Sequence, residues 1–131
     1  MASSILFLIP AIYALTNRQC IIGAIITTCS IISFIFWSNP EDETVREWDI
    51  MFARINFTYM VIHGLIYYDF SNTVELLMTL ILLGLVIHTF MGSNYLYGDN
   101  NLWIFYHFFF HINCTLLNSI VIKNVIERSI L

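Results

Sequence analysis

Six side chains that can move a proton, carry a charge or hold a metal stand inside otherwise apolar stretches: Asp49, Arg54, His63, His88, His107 and His111. Ionisable groups are costly in hydrocarbon, so they turn toward protein and often mark function. His107 and His111 are four residues apart, on one helical face, and Cys114 and Asn118 extend that stripe. Asp49, Asn56 and His63 recur every seven residues, again on one face. Gly23, Thr27, Ser30 and Trp37 lie near one face of another stretch.

Two chemistries follow from such seams. Polar stripes on membrane helices hydrogen-bond neighbouring helices. Alternatively, the imidazoles and the carboxylate are metal ligands. A catalytic zinc needs three protein ligands and a water. His107 and His111 supply two ligands, with His88 or Asp49 as the third. Zinc would then acidify its water and polarise a substrate carbonyl, with Asp49 and Ser33 as the catalytic helpers. A haem held by His88 and His107 is the rival use of the histidines. Arg54 is expected to snorkel or to pair with an acid, and His63 to bond a neighbouring helix.

The elements that must position these residues are membrane spans. Of the 131 residues, 59% are hydrophobic and 11% charged, where soluble domains carry about 25% charged. The mean hydropathy is +0.78. A helix needs about 20 apolar residues to cross hydrocarbon. The runs 20–37, 48–68, 73–91 and 102–122 come close. A first run, 2–15, is short and carries Pro10 near its middle; it reads as a short, kinked span rather than a cleaved signal peptide, since it lacks a positive leading region. The expectation is an all-α, polytopic transmembrane helical bundle of about five spans in a single membrane domain, 1–131.

Five spans put the Ser38–Glu47 and Gly92–Asn101 loops on one side, here side A. Trp37, Trp48 and Trp103 all fall at side A ends, as an interfacial belt should. Side B carries Arg18, Lys123 and Arg128 against Arg46 on side A, which places side B and the C-terminus in the cytoplasm. At about 1.5 Å per residue, Asp49, His88, Ser33, His107 and His111 all fall in the side A half. His63 lies near side B.

Other classes recede. The formal net charge of −4 offers no basic footprint for nucleic acid. Nucleotide-binding glycine loops and the His-Glu-x-x-His signature are absent. Cys20, Cys29 and Cys114 form no Cys-x-x-Cys and read as buried free thiols. The sequons Asn56-Phe-Thr58 and Asn113-Cys-Thr115 lie inside apolar runs, out of a transferase's reach.

Ser33-Phe-Ile-Phe-Trp37, then Asp49, then His107-Phe-Phe-Phe-His111 resembles, in order and position, the transmembrane hydrolase superfamily that includes alkaline ceramidases and progestin/adipoQ receptors. There, Ser-x-x-x-His, Asp and a final His-x-x-x-His surround a zinc held by three histidines. The resemblance implies a zinc-dependent hydrolase acting on lipid amides. This chain departs from it at Trp37, where the family has its first histidine, and in having five spans rather than seven. The alternative expectation is a non-catalytic structural or assembly protein of an organelle or viral membrane. Heavy use of Ile, Asn, Phe and Tyr suggests an AT-rich genome, such as that of a protist or large virus. Expected partners are the bilayer, a lipid substrate if the site is catalytic, and other copies or chains within the membrane.

Overall fold

A computed structural model describes residues 2–98 and 101–129, and every regular element among them is helical. Asp99 and Asn100 of the expected fourth loop, and Ile130 and Leu131 of the expected tail, lie outside the described residues. A 3-10 stretch, Ala2–Phe7, runs into α1 (Leu8–Thr16). Then come α2 (Cys20–Ser38), α3 (Glu43–Tyr67), α4 (Thr73–Tyr95) and α5 (Leu102–Ser129). Four helices, α2 to α5, are long and apolar enough to cross a membrane.

The first segment departs most from expectation. Its six 3-10 residues rise about 2.0 Å each and its nine α residues about 1.5 Å, so it covers only about 25 Å of a hydrocarbon layer about 30 Å thick. Pro10 does not kink the middle of a helix. It is the third residue of α1, in the first turn, where backbone N–H groups have no intrahelical acceptor to lose. The change of winding falls just before it, at the join between the 3-10 stretch and α1.

Helix ends were harder to place than helices. The third span starts at Glu43 rather than residue 48, because Asp42 caps it: its carboxylate accepts from Thr44 N at 2.9 Å and Val45 N at 3.2 Å. Asn72 caps α4 through Glu75 N at 3.2 Å. The last helix continues beyond residue 122 to Ser129, and its polar extension is tied to α4. There Lys123 Nζ and Asn124 Nδ2 donate to the Glu75 carboxylate at 2.8 and 2.7 Å. At the opposite end, the Arg46 guanidinium lies 4.0 Å over the Tyr97 ring and donates to Asn94 at 3.4 Å. The Tyr97 hydroxyl donates to the Pro40 carbonyl.

Between these polar ends, α5 is the central helix. It packs along α4, against α3 and against the N-terminal segment, which is wedged between α5 and α2. Phe7, Pro10, Ala11 and Ala14 of the wedge are buried. Gly23 lets the wedge approach α2 closely: a Cβ there would lie 2.5 Å from Leu15 Cγ. Small residues serve this purpose in membrane bundles, where the gain comes from close packing rather than from expelling water. Gly92 serves the α4–α5 pair in the same way, since a Cβ would meet the Tyr106 ring at 2.4 Å.

Gly92→Ala should therefore destabilise the detergent-solubilised protein by about 1–3 kcal/mol through overpacking. Gly84→Ala, with nothing within 4 Å of its added Cβ, should be neutral or gain up to about 1 kcal/mol of helix propensity. Denaturant unfolding midpoints check this, and equal midpoints for the two variants would contradict the tight α4–α5 contact.

The turn between α3 and α4 carries its own pH dependence. Ser71 donates to Asp69 through its hydroxyl at 2.7 Å and its backbone N–H at 3.0 Å, and Arg128 lies 3.5 Å away. The hydroxyl first, then the N–H and the nearby cation, hold the Asp69 carboxyl below its ordinary value. A depressed folded pKa gives stability that is full above the unfolded value, near ~3.9, and is lost as pH falls through the folded one. Asp69→Asn should flatten the loss of stability below about pH 4. Unfolding midpoints of both proteins across that range test it, and parallel acid limbs would assign the turn no such role.

Candidate functional site

Helical periodicity turns the expected α5 stripe inward: His107, His111, Cys114 and Asn118 are all buried. Ser33 on α2 and Asp49 on α3 approach the same level, as do Ser3 and Ser4 of the wedge. The centre is His111, which is 1% exposed. Its Nε2 lies 3.2 Å from Ser33 Oγ and its Nδ1 lies 3.0 Å from Ser3 Oγ. Ser4 Oγ donates to Ser33 Oγ at 3.4 Å, and Ser30 Oγ donates to the Ser4 carbonyl at 2.8 Å. A consistent proton order runs Ser4 to Ser33, Ser33 to His111 Nε2, and His111 Nδ1–H to Ser3. This order makes His111 a neutral imidazole with both nitrogens occupied.

His107 sits one turn toward side A, its ring centroid 4.5 Å from that of His111. Ser93 Oγ on α4 lies 3.0 Å from its Nδ1. Its Nε2 is buried, has no hydrogen-bond partner among the described residues, and lies 3.8 Å from Asp49 Oδ2. Aromatic rings close the space above. Trp37 and Trp103 stack at 5.6 Å, Trp37 meets His107 edge-on at 5.3 Å, and Phe36 and Tyr97 pack on Trp103. Below, a cavity of about 20 Å³ is lined by Asp49, Asn56 and His111 among apolar neighbours. That is room for about one water, far below the several hundred Å³ typical of a small-molecule site.

The structure thus brings together four of the five residues expected at a site: Ser33, Asp49, His107 and His111. It does not bring His88. That side chain is exposed on the outer face of α4, where its ring meets Tyr106 at 5.7 Å. The residues α4 turns inward are its neighbours Val86, Thr89 and Ser93. His88 is therefore corrected from candidate third ligand to a surface residue, and the haem pair of His88 with His107 loses its facing geometry with it. His63 stays apart as expected, stacked on Tyr59 at 4.0 Å and bonded through Nδ1 to the Tyr59 carbonyl at 3.0 Å.

These residues do not complete a zinc site. Two nitrogens of His111 are taken by serines, and His107 offers Nε2 alone, beside one carboxylate. The ring that meets His107 edge-on is Trp37, and an indole N–H can only donate. Among the described residues no three His, Cys, Asp or Glu side chains converge as a ligand set. Ser3, Ser4 and Ser93 were not foreseen. Hydroxyls are common in membrane helices and carry no periodic signal, and Ser3 and Ser4 lie in the segment whose path Pro10 obscured.

No family model, curated protein or solved structure matches the chain.

His111→Ala should cost about 2–4 kcal/mol, from a cavity and from stranded serine hydroxyls. Ser33→Ala should cost about 1 kcal/mol. His88→Ala should fall within about 0.5 kcal/mol of wild type. Unfolding in detergent ranks the three, and a His88→Ala effect as large as that of His111→Ala would place His88 inside the bundle.

Proposed function

We propose that this chain is a non-catalytic, multi-pass integral membrane protein, a structural or assembly component of an organelle or viral membrane, in which the Ser–His–Asp centre is a lock. One observation carries this reading: both nitrogens of His111 are spent on serines of two different elements, in a space that holds about one water. A catalytic base needs a free lone pair and a route for substrate. Here the imidazole instead joins the N-terminal wedge to α2 and α5. Positive charge at Arg18, Lys123 and Arg128 supports a cytoplasmic C-terminal end.

A zinc-dependent hydrolase of lipid amides is the second reading. It is favoured by the open Nε2 of His107 beside Asp49. It would require His111 to release a serine and a further ligand to arrive.

Metal analysis of the purified protein separates the two. The lock predicts metal at background level in wild type, His107→Ala and His111→Ala alike, no Soret band, and no release of fatty acid from ceramide. One zinc per chain, lost in both variants, together with ceramide hydrolysis, would establish the second reading and end the first.

A further inference from the structure

A neighbouring face of α5 is built differently. There α3 and α4 flank α5 and leave a trough open to the lipid. A cavity of about 260 Å³ toward the Trp48 end lies between Ala53, Phe57 and Thr58 of α3 and Val86 and Ile87 of α4, above Phe110. A second, separate cavity of about 130 Å³ lies nearer the Asp69 turn, over Leu117 and Val121. Phe110, Leu117 and Val121 share one face of α5, which lines the two cavities over about 16 Å.

One charge lines this trough. Arg54 borders the larger cavity, about 9 Å below Trp48 along α3. Its neighbours one turn away are Ile50, Met51, Phe57 and Thr58, none of them acidic. It takes part in none of the ion pairs among the described residues, which join Asp49 to His107, Glu75 to Lys123 and Asp69 to Arg128. Asp49 is five residues away, about 140° round the helix, facing the interior. A guanidinium placed in a span is costly without an anion, and no acid among the described residues pairs with it; the nearest on its own face, Glu47, lies two turns away toward Trp48.

We infer that the trough is a binding site for one anionic glycerophospholipid. Its phosphate accepts from the Arg54 guanidinium, which snorkels toward the Trp48 interface, and one acyl chain lies along the α3–α4 trough over Phe110 and Leu117. Guanidinium matches phosphate with two parallel donors, and the narrow apolar channel below it matches a hydrocarbon chain. In a second copy of the chain the unpaired acids of the helices, Glu43 and Glu47 on α3 and Glu127 on α5, stand near helix ends, whereas Arg54 lies deeper in its span. Asp49 faces His107, and Glu75 is held by Lys123 and Asn124.

Native mass spectrometry of the full chain, released from nanodiscs of equal phosphatidylglycerol and phosphatidylcholine, tests this. One phosphatidylglycerol should stay on each wild-type chain. Arg54→Gln should lower its retention about tenfold, the loss of one charge-assisted contact, and Arg54→Lys should lower it less. Ile87→Trp, which fills the trough and leaves Arg54 in place, should lose the lipid too, with helix content by circular dichroism unchanged. Wild-type retention in Arg54→Gln or Ile87→Trp would overturn the site. So would equal retention of the two lipids, or a dimer whose cross-links run through the trough and exclude lipid.

Discussion

Hydrocarbon offers polar atoms no partner, and this constraint orders the whole molecule. A backbone N–H or carbonyl in lipid must bond within its own helix, so the apolar stretches become helices. Side-chain hydroxyls obey the same rule. Thr27 and Thr28 on α2 and Thr89 on α4 each donate to a carbonyl one turn back, at 2.7, 2.9 and 2.6 Å. Larger polar groups cannot satisfy themselves locally and have to meet across helices. His111, Ser33 and Ser3 come together for that reason. The seam is the sum of groups that lipid excludes, and its position fixes how α2, α5 and the wedge are rotated.

That constraint also explains what was legible in the residues alone. Lengths and compositions were enough to find α2 to α5, because an apolar run near 20 residues has few other uses. Depth was enough to group Ser33, Asp49, His107 and His111, because rise along a helix is fixed by its geometry. Rotation was not equally legible. On α5 the polar residues mark a stripe, so its inward face could be read. On α4 the stretch 80–87 is Leu, Ile and Val apart from Gly84, so it marks no face. His88 lies at the right height and about 100° from Thr89, and the packing of Gly92 against Tyr106 turns Thr89 and Ser93 inward instead. Boundaries failed for a different reason: the cap at Asp42 and the Glu75–Lys123–Asn124 clamp depend on contacts that hydropathy does not weigh.

The wedge shows how a short segment earns its place in a bundle. Ser3 and Ser4 stand opposite Ser30 and Ser33, about 7 Å below the end of α2. Nearer the end of α2, Phe36, Trp37, Trp103 and Tyr97 pack on one another. The segment is thereby held twice, by hydrogen bonds at its tip and by the Ala11–Ala14–Gly23 contact along its length.

Catalytic and structural centres use the same side chains, and what separates them is satisfaction. An active centre keeps a lone pair, a coordination position or a donor unspent, and a path by which substrate reaches it. Here both nitrogens of His111 are engaged, and Trp37 and Trp103 pack on His107 one turn away. The one unspent nitrogen, Nε2 of His107, faces a single carboxylate at 3.8 Å and the edge of an indole. An unpaired charge within a span lies instead at Arg54, beside an open trough over the neighbouring face of α5. Buried polarity and open polarity are therefore divided between two faces of one helix: the first holds the bundle together, and the second is where a ligand from the bilayer has room to bind.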